Sequence, residues 1–344
     1  MTADAGELDL VRRTVHEVMA AGGVAVRLPG LASLGLVGLL VPEDRGGAGW
    51  CPVEAAVVAD EVGRAAALGG APEPGRSGTA AAWLTATIAA AVLARSGPVE
   101  VADDQLDRTL DGTDPTVAAA GAGRLRVAAG RAHGTLTGVE AADQAPAVVV
   151  LGNEGQAVLV DLRAGGATVG HDATSIDTTR ALQRVDLDGA PARLLAPAPD
   201  VYDAALVLTA ASSLGHLRAA LERLIGYLSE RVAFRAPVAS FQAVQHRLVD
   251  LALIEVRAGV AVVAAAQALA ASPQSASRAA AVAHAYVTEH VPPALDECIQ
   301  LTGGIGFTWE YPLHHELRRA VGDAAAFGSA RSSRERFLTL AGWA

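Results

Sequence analysis

The hydrophobic period runs helical, then strand-like, then helical again along this chain, and that alternation constrains the fold more than any single motif does. From Glu7 to about Ala21, and again from Val53 to Ala66, apolar residues recur at helical spacing with charged residues between them. Between these runs, Leu39-Leu40-Val41-Pro42-Glu43-Asp44-Arg45-Gly46-Gly47-Ala48-Gly49 breaks a short apolar stretch with Pro and then Gly, a turn between two helices. Thr79 to Arg95 continues the helical texture. From about Thr113 to Pro197 the pattern becomes Val-Leu runs such as Ala147–Gly152 and Ala157–Leu162, punctuated by Gly, Asp and Pro, which suits short strands with tight turns. From Val201 onward helical periodicity returns, interrupted at Arg235-Ala236-Pro237, Ser272-Pro273 and Gly303-Gly304-Ile305-Gly306. The expected fold is mainly α with a small β-domain: helices over 1–112, a middle β-domain over 113–197 and a C-terminal helical bundle over 198–344.

Hydrophobic residues make up 51% of the chain but aromatic ones only 4%, so the core must be built from Ala, Val and Leu, which favours packed helices. All 27 basic residues are Arg, so a Schiff-base or P-loop lysine is excluded. A net charge of -10 with no basic stripe argues against nucleic acid. Cys51 and Cys298 lie far apart, and no basic n-region with an apolar h-region follows Met1, so the chain is expected to be cytoplasmic with free thiols. Ser77 to Ala94 is uncharged but mostly Ala and Thr, which reads as a buried helix and not a membrane span.

Few segments carry recognisable chemistry. Gly121-Ala122-Gly123 lacks the third glycine and the strand-to-helix context of a dinucleotide fingerprint. His284 and His290, six apart, and the adjacent His314-His315 cannot converge on one metal ion. Neither cysteine has an activating local context, and no Gly-x-Ser-x-Gly elbow occurs.

Two segments in the last region are richer. In Glu230–His246 a helix ends in Arg231, the chain turns at Pro237, and a new helix opens with Phe241 and Gln242. An arginine at a helix end beside the next helix's N-terminus offers a fork of donors to an anion; the alternative is a surface arginine bonding the last helical carbonyls. In Cys298–Leu313 a helix runs into Gly303, Gly304 and Gly306, where glycine permits close backbone approach to a ligand or a left-handed helix end.

Together these residues resemble the acyl-CoA dehydrogenase family. Arg231, Phe234, Pro237, Phe241 and Gln242 are similar to its Arg-x-x-Phe, Pro and Phe-Gln pattern, and Gln300-Leu301-Thr302-Gly303-Gly304-Ile305-Gly306 with Glu310 to its Gln-x-x-Gly-Gly-x-Gly-x-x-x-Glu run. Val41-Pro42-Glu43, Gly46–Gly49 and Glu61–Arg64 resemble its N-terminal domain, and Asp177–Arg180 a less specific β-domain spot. The resemblance implies an N-terminal helical domain, a β-barrel-like middle domain and a C-terminal four-helix bundle. It implies FAD shared across a subunit interface, an acyl-CoA substrate oxidised to a 2,3-enoyl-CoA, a glutamate base and electron transfer to an electron-transfer flavoprotein. Arg231, Phe234, Phe241, Gln242, Gln300, Leu301, Thr302, Gly303 and Gly304 are the implied cofactor-binding residues.

The chain departs from that pattern at the reacting end. The glutamate position falls on Phe327, the alternative base position on Ala205, and Arg318-Arg319-Ala320 on an Arg-Asp-Ala spot. Val117–Arg124 replaces the Thr-Glu-Pro and Gly-Ser run that touches the flavin ring. The chain thus resembles the degenerate smaller subunit of α2β2 acyl-CoA dehydrogenases of actinobacterial steroid side-chain catabolism, with no catalytic residue of its own and no metal. Two alternatives stand beside this: a self-sufficient acyl-CoA or acyl-carrier-protein dehydrogenase using Asp203 or Asp323 as an unorthodox base, and a flavin-free acyl-CoA-binding scaffold.

Overall fold

A computed structural model describes residues 5–20, 24–68, 79–96, 100–121, 125–171, 175–271 and 273–343. The expected helix start at Ser77 and the Ala122-Gly123-Arg124 stretch lie outside the described residues. Among the described residues, five helices come first: α1 (Ala5–Ala20), α2 (Val24–Ser33), α3 (Pro52–Leu68), α4 (Thr79–Arg95) and α5 (Glu100–Leu110). The Pro42–Gly49 turn between α2 and α3 forms a 3-10 turn over Glu43–Arg45, closed by Gly46. The uncharged α4 is a core helix, as the sequence indicates: Trp83, Ile88 and Leu93 have no exposed surface.

Seven strands follow: β1 (Val117–Ala120), β2 (Arg126–Ala128), β3 (Arg131–Glu140), β4 (Ala147–Leu151), β5 (Ala157–Asp161), β6 (Ala167–His171) and β7 (Leu182–Leu194). They pair in the order β1-β4-β5-β7-β3-β2, with β6 also on β7. Only the β1–β4 pair is parallel among them. The long β7 serves both halves, pairing with β5 near its end, with β6 near its start and with β3 along most of its length. Side-chain alternation explains why β4 is apolar throughout. Val149 and Leu151 enter a core shared with the helices, and Val148 and Val150 enter a second core enclosed by the sheet.

The last region holds α6 (Pro199–Glu230), a short hairpin of β8 (Val232–Ala233) and β9 (Ala236–Pro237), then α7 (Gln242–Ala271), α8 (Pro273–Thr302), α9 (Leu313–Ala326) and α10 (Ala330–Ala341). The α6 helix is long and apolar enough to cross a membrane, yet its apolar stretch is buried inside the protein. It packs against α3, α7, α8 and α9, and a helix apolar on all faces needs such cover. One continuous core therefore joins the first five helices to the bundle, from Val15 through Leu217 to Ala320.

Where α3 crosses α6, two glycines let the backbones touch. A Cβ on Gly215 would sit 2.1 Å from the Asp60 carbonyl oxygen, and one on Gly63 would sit 2.4 Å from that of Ser212. Alanine normally favours a helix interior by about 1 kcal/mol over glycine. At Gly215 the sign reverses: Gly215→Ala is expected to destabilise the protein by about 1–3 kcal/mol because the α3–α6 seam must spread. A denaturant titration with an unchanged or higher midpoint would contradict this.

Candidate functional site

At the end of α6 the helix hydrogen-bonding pattern stops at Arg231. Its backbone is extended, its N–H donates to the Tyr227 carbonyl at 2.9 Å, and its own carbonyl accepts from Val238 N–H at 2.8 Å. Everything Arg231 contributes to the fold is thus main chain. No hydrogen bond or ion pair ties its exposed guanidinium to the described residues, so it does not cap the α6 carbonyls. The α8 helix ends at Thr302, and Gly303 follows with φ 77° into a 3-10 turn over Gly304–Phe307. Around Gly303 and Gly304 a Cβ would meet nothing within 4 Å, so the glycine main chain is open to approach.

These two helix ends face a shared cleft of about 360 Å³, bordered by Tyr227, Arg231, Val238 and the segment Leu301–Ile305. The structure thereby brings together Arg231, Leu301, Thr302, Gly303 and Gly304 of the expected cofactor set. Thr302 is buried and its hydroxyl donates to the Cys298 carbonyl at 2.8 Å, which leaves it only acceptor capacity. Phe234, Phe241, Gln242 and Gln300 do not border the cleft. Phe234 stands 94% exposed on the β8–β9 hairpin with its ring 6.3 Å from that of Phe241, edge to face. Gln242 opens α7, and Gln300 lies exposed on α8. An unpaired guanidinium and open glycine backbone suit a diphosphate.

The reacting end is built differently. Phe327 ends α9, is 3% exposed, and its carbonyl accepts the Tyr202 hydroxyl at 2.7 Å. Ala205 is wholly buried in α6. The two carboxylates nearest those positions are already engaged. Asp203 accepts from Arg336 at 2.7 Å and from Ser277, and burial pushes its carboxyl up. Asp323 accepts from Arg180 at 2.7 Å and Ser213 at 3.2 Å.

Sequence reasoning did not find the network to which Asp323 belongs. Arg180 also donates to Glu140 at 2.9 Å, so it joins the sheet to the bundle. Arg319 donates to Glu316 at 3.0 Å, to the Thr179 hydroxyl at 3.0 Å and to the Ala66 carbonyl at 3.2 Å. His216 Nδ1 lies 2.9 Å from Glu316. Burial pushes the Glu316 carboxyl up, but Arg319 and His216 outweigh it and hold the group below its ordinary value. What space remains among Ala66, Ala80, Ser212, His216, Arg319 and Asp323 is about 20 Å³, room for no more than a water. A flavin ring does not fit this seam. The Asp177–Arg180 stretch and the Glu316 and Arg319 spacing of three were local signals of the network in the sequence, but neither names the partners across the fold.

The thiols have no place in this chemistry: burial pushes Cys298 up to about 12 and also raises Cys51. Among the described residues, no group of three or more His, Cys, Asp or Glu is placed to hold a metal ion.

Comparison with known proteins decides the family. The family model for the acyl-CoA dehydrogenase N-terminal domain matches residues 9–113, and that for the C-terminal domain matches 206–337. Acyl-CoA dehydrogenase IpdE2 of Mycobacterium tuberculosis (strain ATCC 25618 / H37Rv) is 32% identical, over 94% of this chain and 94% of its own length. The chain belongs to the acyl-CoA dehydrogenase family. Acyl-CoA dehydrogenase FadE34 of the same organism is 33% identical over 88% of this chain, which spans only 40% of that relative. Among solved structures, the Tcur3481-Tcur3483 steroid ACAD superposes with a TM-score of 0.80 at 25% identity, covering 98% of each chain. The fold is that of an acyl-CoA dehydrogenase, a family of FAD-dependent oxidoreductases acting on CH–CH bonds. Within that family, this chain has an open cleft suited to the diphosphate end of the cofactor and a closed seam where sheet meets bundle.

Proposed function

We propose that this chain is the non-catalytic subunit of a heteromeric acyl-CoA dehydrogenase and holds the phosphate end of FAD for a catalytic, glutamate-bearing homologue. The observation that carries the reading is Phe327. A phenyl ring cannot accept the α-proton, and Asp203 and Asp323, the carboxylates that could replace it, are held by Arg336 and Arg180. The open cleft at Arg231, Gly303 and Gly304 speaks against a flavin-free scaffold, because no side chain among the described residues uses that guanidinium.

FAD, when bound, supplies the hydride acceptor for 2,3-desaturation. This chain's share is to bind and orient. Arg231 pairs with the diphosphate and Gly303 and Gly304 admit it to the main chain, while Phe234, Phe241, Gln242 and Gln300 stand outside the cleft, on the hairpin, at the start of α7 and near the end of α8. The substrate is an acyl-CoA, steroid-derived by similarity to the Tcur3481-Tcur3483 steroid ACAD, and the electrons leave through an electron-transfer flavoprotein. The assembly is an α2β2 heterotetramer in the cytoplasm.

The partner docks on the bundle. On α7, Val249, Leu253, Val256, Val260 and Val263 are exposed at alternating spacings of four and three, an unpartnered apolar seam of the kind that packs against another helix. Expressed alone, the chain is expected to purify with little flavin and to show no acyl-CoA oxidation with an artificial acceptor. Co-expressed with the homologue, it should form a monodisperse heteromer by light scattering, with bound flavin. A yellow, active homo-oligomer of this chain would refute the reading.

A further inference from the structure

The hairpin after α6 is tighter than its residues favour. Pairing of Val232 with Pro237 and Ala233 with Ala236 leaves Phe234 and Arg235 as a two-residue loop. Both have positive φ, 50° and 69°. That is the type I′ geometry, for which Asn-Gly is the usual solution, because a Cβ crowds the backbone in the left-handed region. Phe234 has a visible compensation in its contact with Phe241. Arg235 has none: it is exposed, and its side chain makes no hydrogen bond, ion pair or ring contact with the described residues. Glycine at 235 would make the same turn without strain. A residue that breaks a local preference for no gain among the described residues points to a ligand outside the chain.

Arg231 supplies the direction. It stands at the base of the same hairpin, on the cleft with Gly303 and Gly304, and its guanidinium is equally unpaired among the described residues. Base and tip are two to three strand residues apart, about 7–10 Å, a gap that two arginine side chains can close around one diphosphate. Resting on the function proposed above, we infer that Arg235 is a second phosphate-binding residue, which grips the adenosine diphosphate moiety of FAD beside Arg231. Coenzyme A carries related phosphate chemistry, so the two sources have to be separated by experiment.

The test uses the complex of this chain with its homologue, stripped of flavin and titrated with FAD, ADP, adenosine and coenzyme A. Arg235→Gly should raise the melting temperature of the stripped complex by about 1–3 °C as the turn relaxes. It should also weaken FAD and ADP about five- to tenfold, with adenosine unchanged. Arg235→Lys should retain most of the affinity, because charge is kept, without the gain in melting temperature. Unchanged FAD affinity in Arg235→Gly beside a loss in Arg231→Ala overturns this inference and leaves the proposed function standing. Unchanged affinity in both variants overturns the proposed function as well. Weakening of coenzyme A but not FAD, loss of assembly in place of flavin, or a lower melting temperature each refutes the role given to Arg235.

Discussion

In the assembled complex, Arg231→Ala is expected to lower flavin affinity ten- to hundredfold while leaving the two chains associated. The size follows from the kind of contact. A charge-assisted hydrogen bond to a phosphate is worth about 1.5–3 kcal/mol, which converts to roughly that loss in affinity. The specificity follows from the local structure. Arg231 ends α6 through its N–H to Tyr227 and its carbonyl to Val238, and alanine keeps both bonds. The side chain borders the cleft without an acidic partner among the described residues, so its removal strands no buried carboxylate. Gln242→Ala should act in the same direction but more weakly, since a neutral amide makes the weaker bond. Flavin absorbance per heteromer and the elution volume of the complex read the two effects separately. Full flavin content in Arg231→Ala would mean that this chain does not hold the phosphate end.

The sequence made the helical regions and the cleft between the ends of α6 and α8 legible because both are local. Apolar residues at helical spacing mark α1, α3, α6 and α7 within a few residues of their ends, and Val-Leu runs mark β4 and β5. The cleft residues sit in two contiguous segments, so a motif could carry them. What was not legible depends on residues far apart. Arg180 meets Glu140 across 40 positions and Asp323 across 143, and no periodicity relates such partners. Gly63 was visible as part of a family-like Glu-Val-Gly-Arg stretch, but its reason, contact with the Ser212 backbone, appears only when α3 crosses α6. The Arg235-Ala236-Pro237 break reads as a simple turn; nothing like Asn-Gly announces the hairpin that the chain forms there. Conversely, Pro292 and Pro293 lie inside α8 without ending it, because packing on α6, α7, α9 and α10 holds the helix where its own ladder lacks donors.

Arg180→Leu is expected to have the largest effect on stability, about 3–5 kcal/mol, because it breaks a buried pair and leaves carboxylates behind. Arg180, Glu140 and Asp323 are all under a tenth exposed, so the charges stranded on Glu140 and Asp323 would have little water to turn to. Removing its hydrogen-bonded partners as well should behave differently: Arg180→Leu combined with Glu140→Leu and Asp323→Leu takes these three charges out together and is expected to recover much of the loss, with the buried Asp177 carboxylate, which also faces Arg180, remaining. Denaturant titrations of the single and triple variants test this, and equal destabilisation by both would show that shape, not charge, governs the seam. Acid acts on the adjoining half of the network. Glu316 is held below its ordinary value of 4.5, so its contribution is present above that pH and is lost as pH falls through its lower value in the folded protein. Glu316→Gln should therefore flatten the acid limb of the stability curve while lowering stability at pH 7. On the function proposed above, neither Arg180→Leu nor the triple variant should gain acyl-CoA oxidation, since opening the seam supplies space but no base, and the phenyl ring of Phe327 cannot accept a proton. Acyl-CoA oxidation by the triple variant alone would contradict the non-catalytic role proposed for this chain.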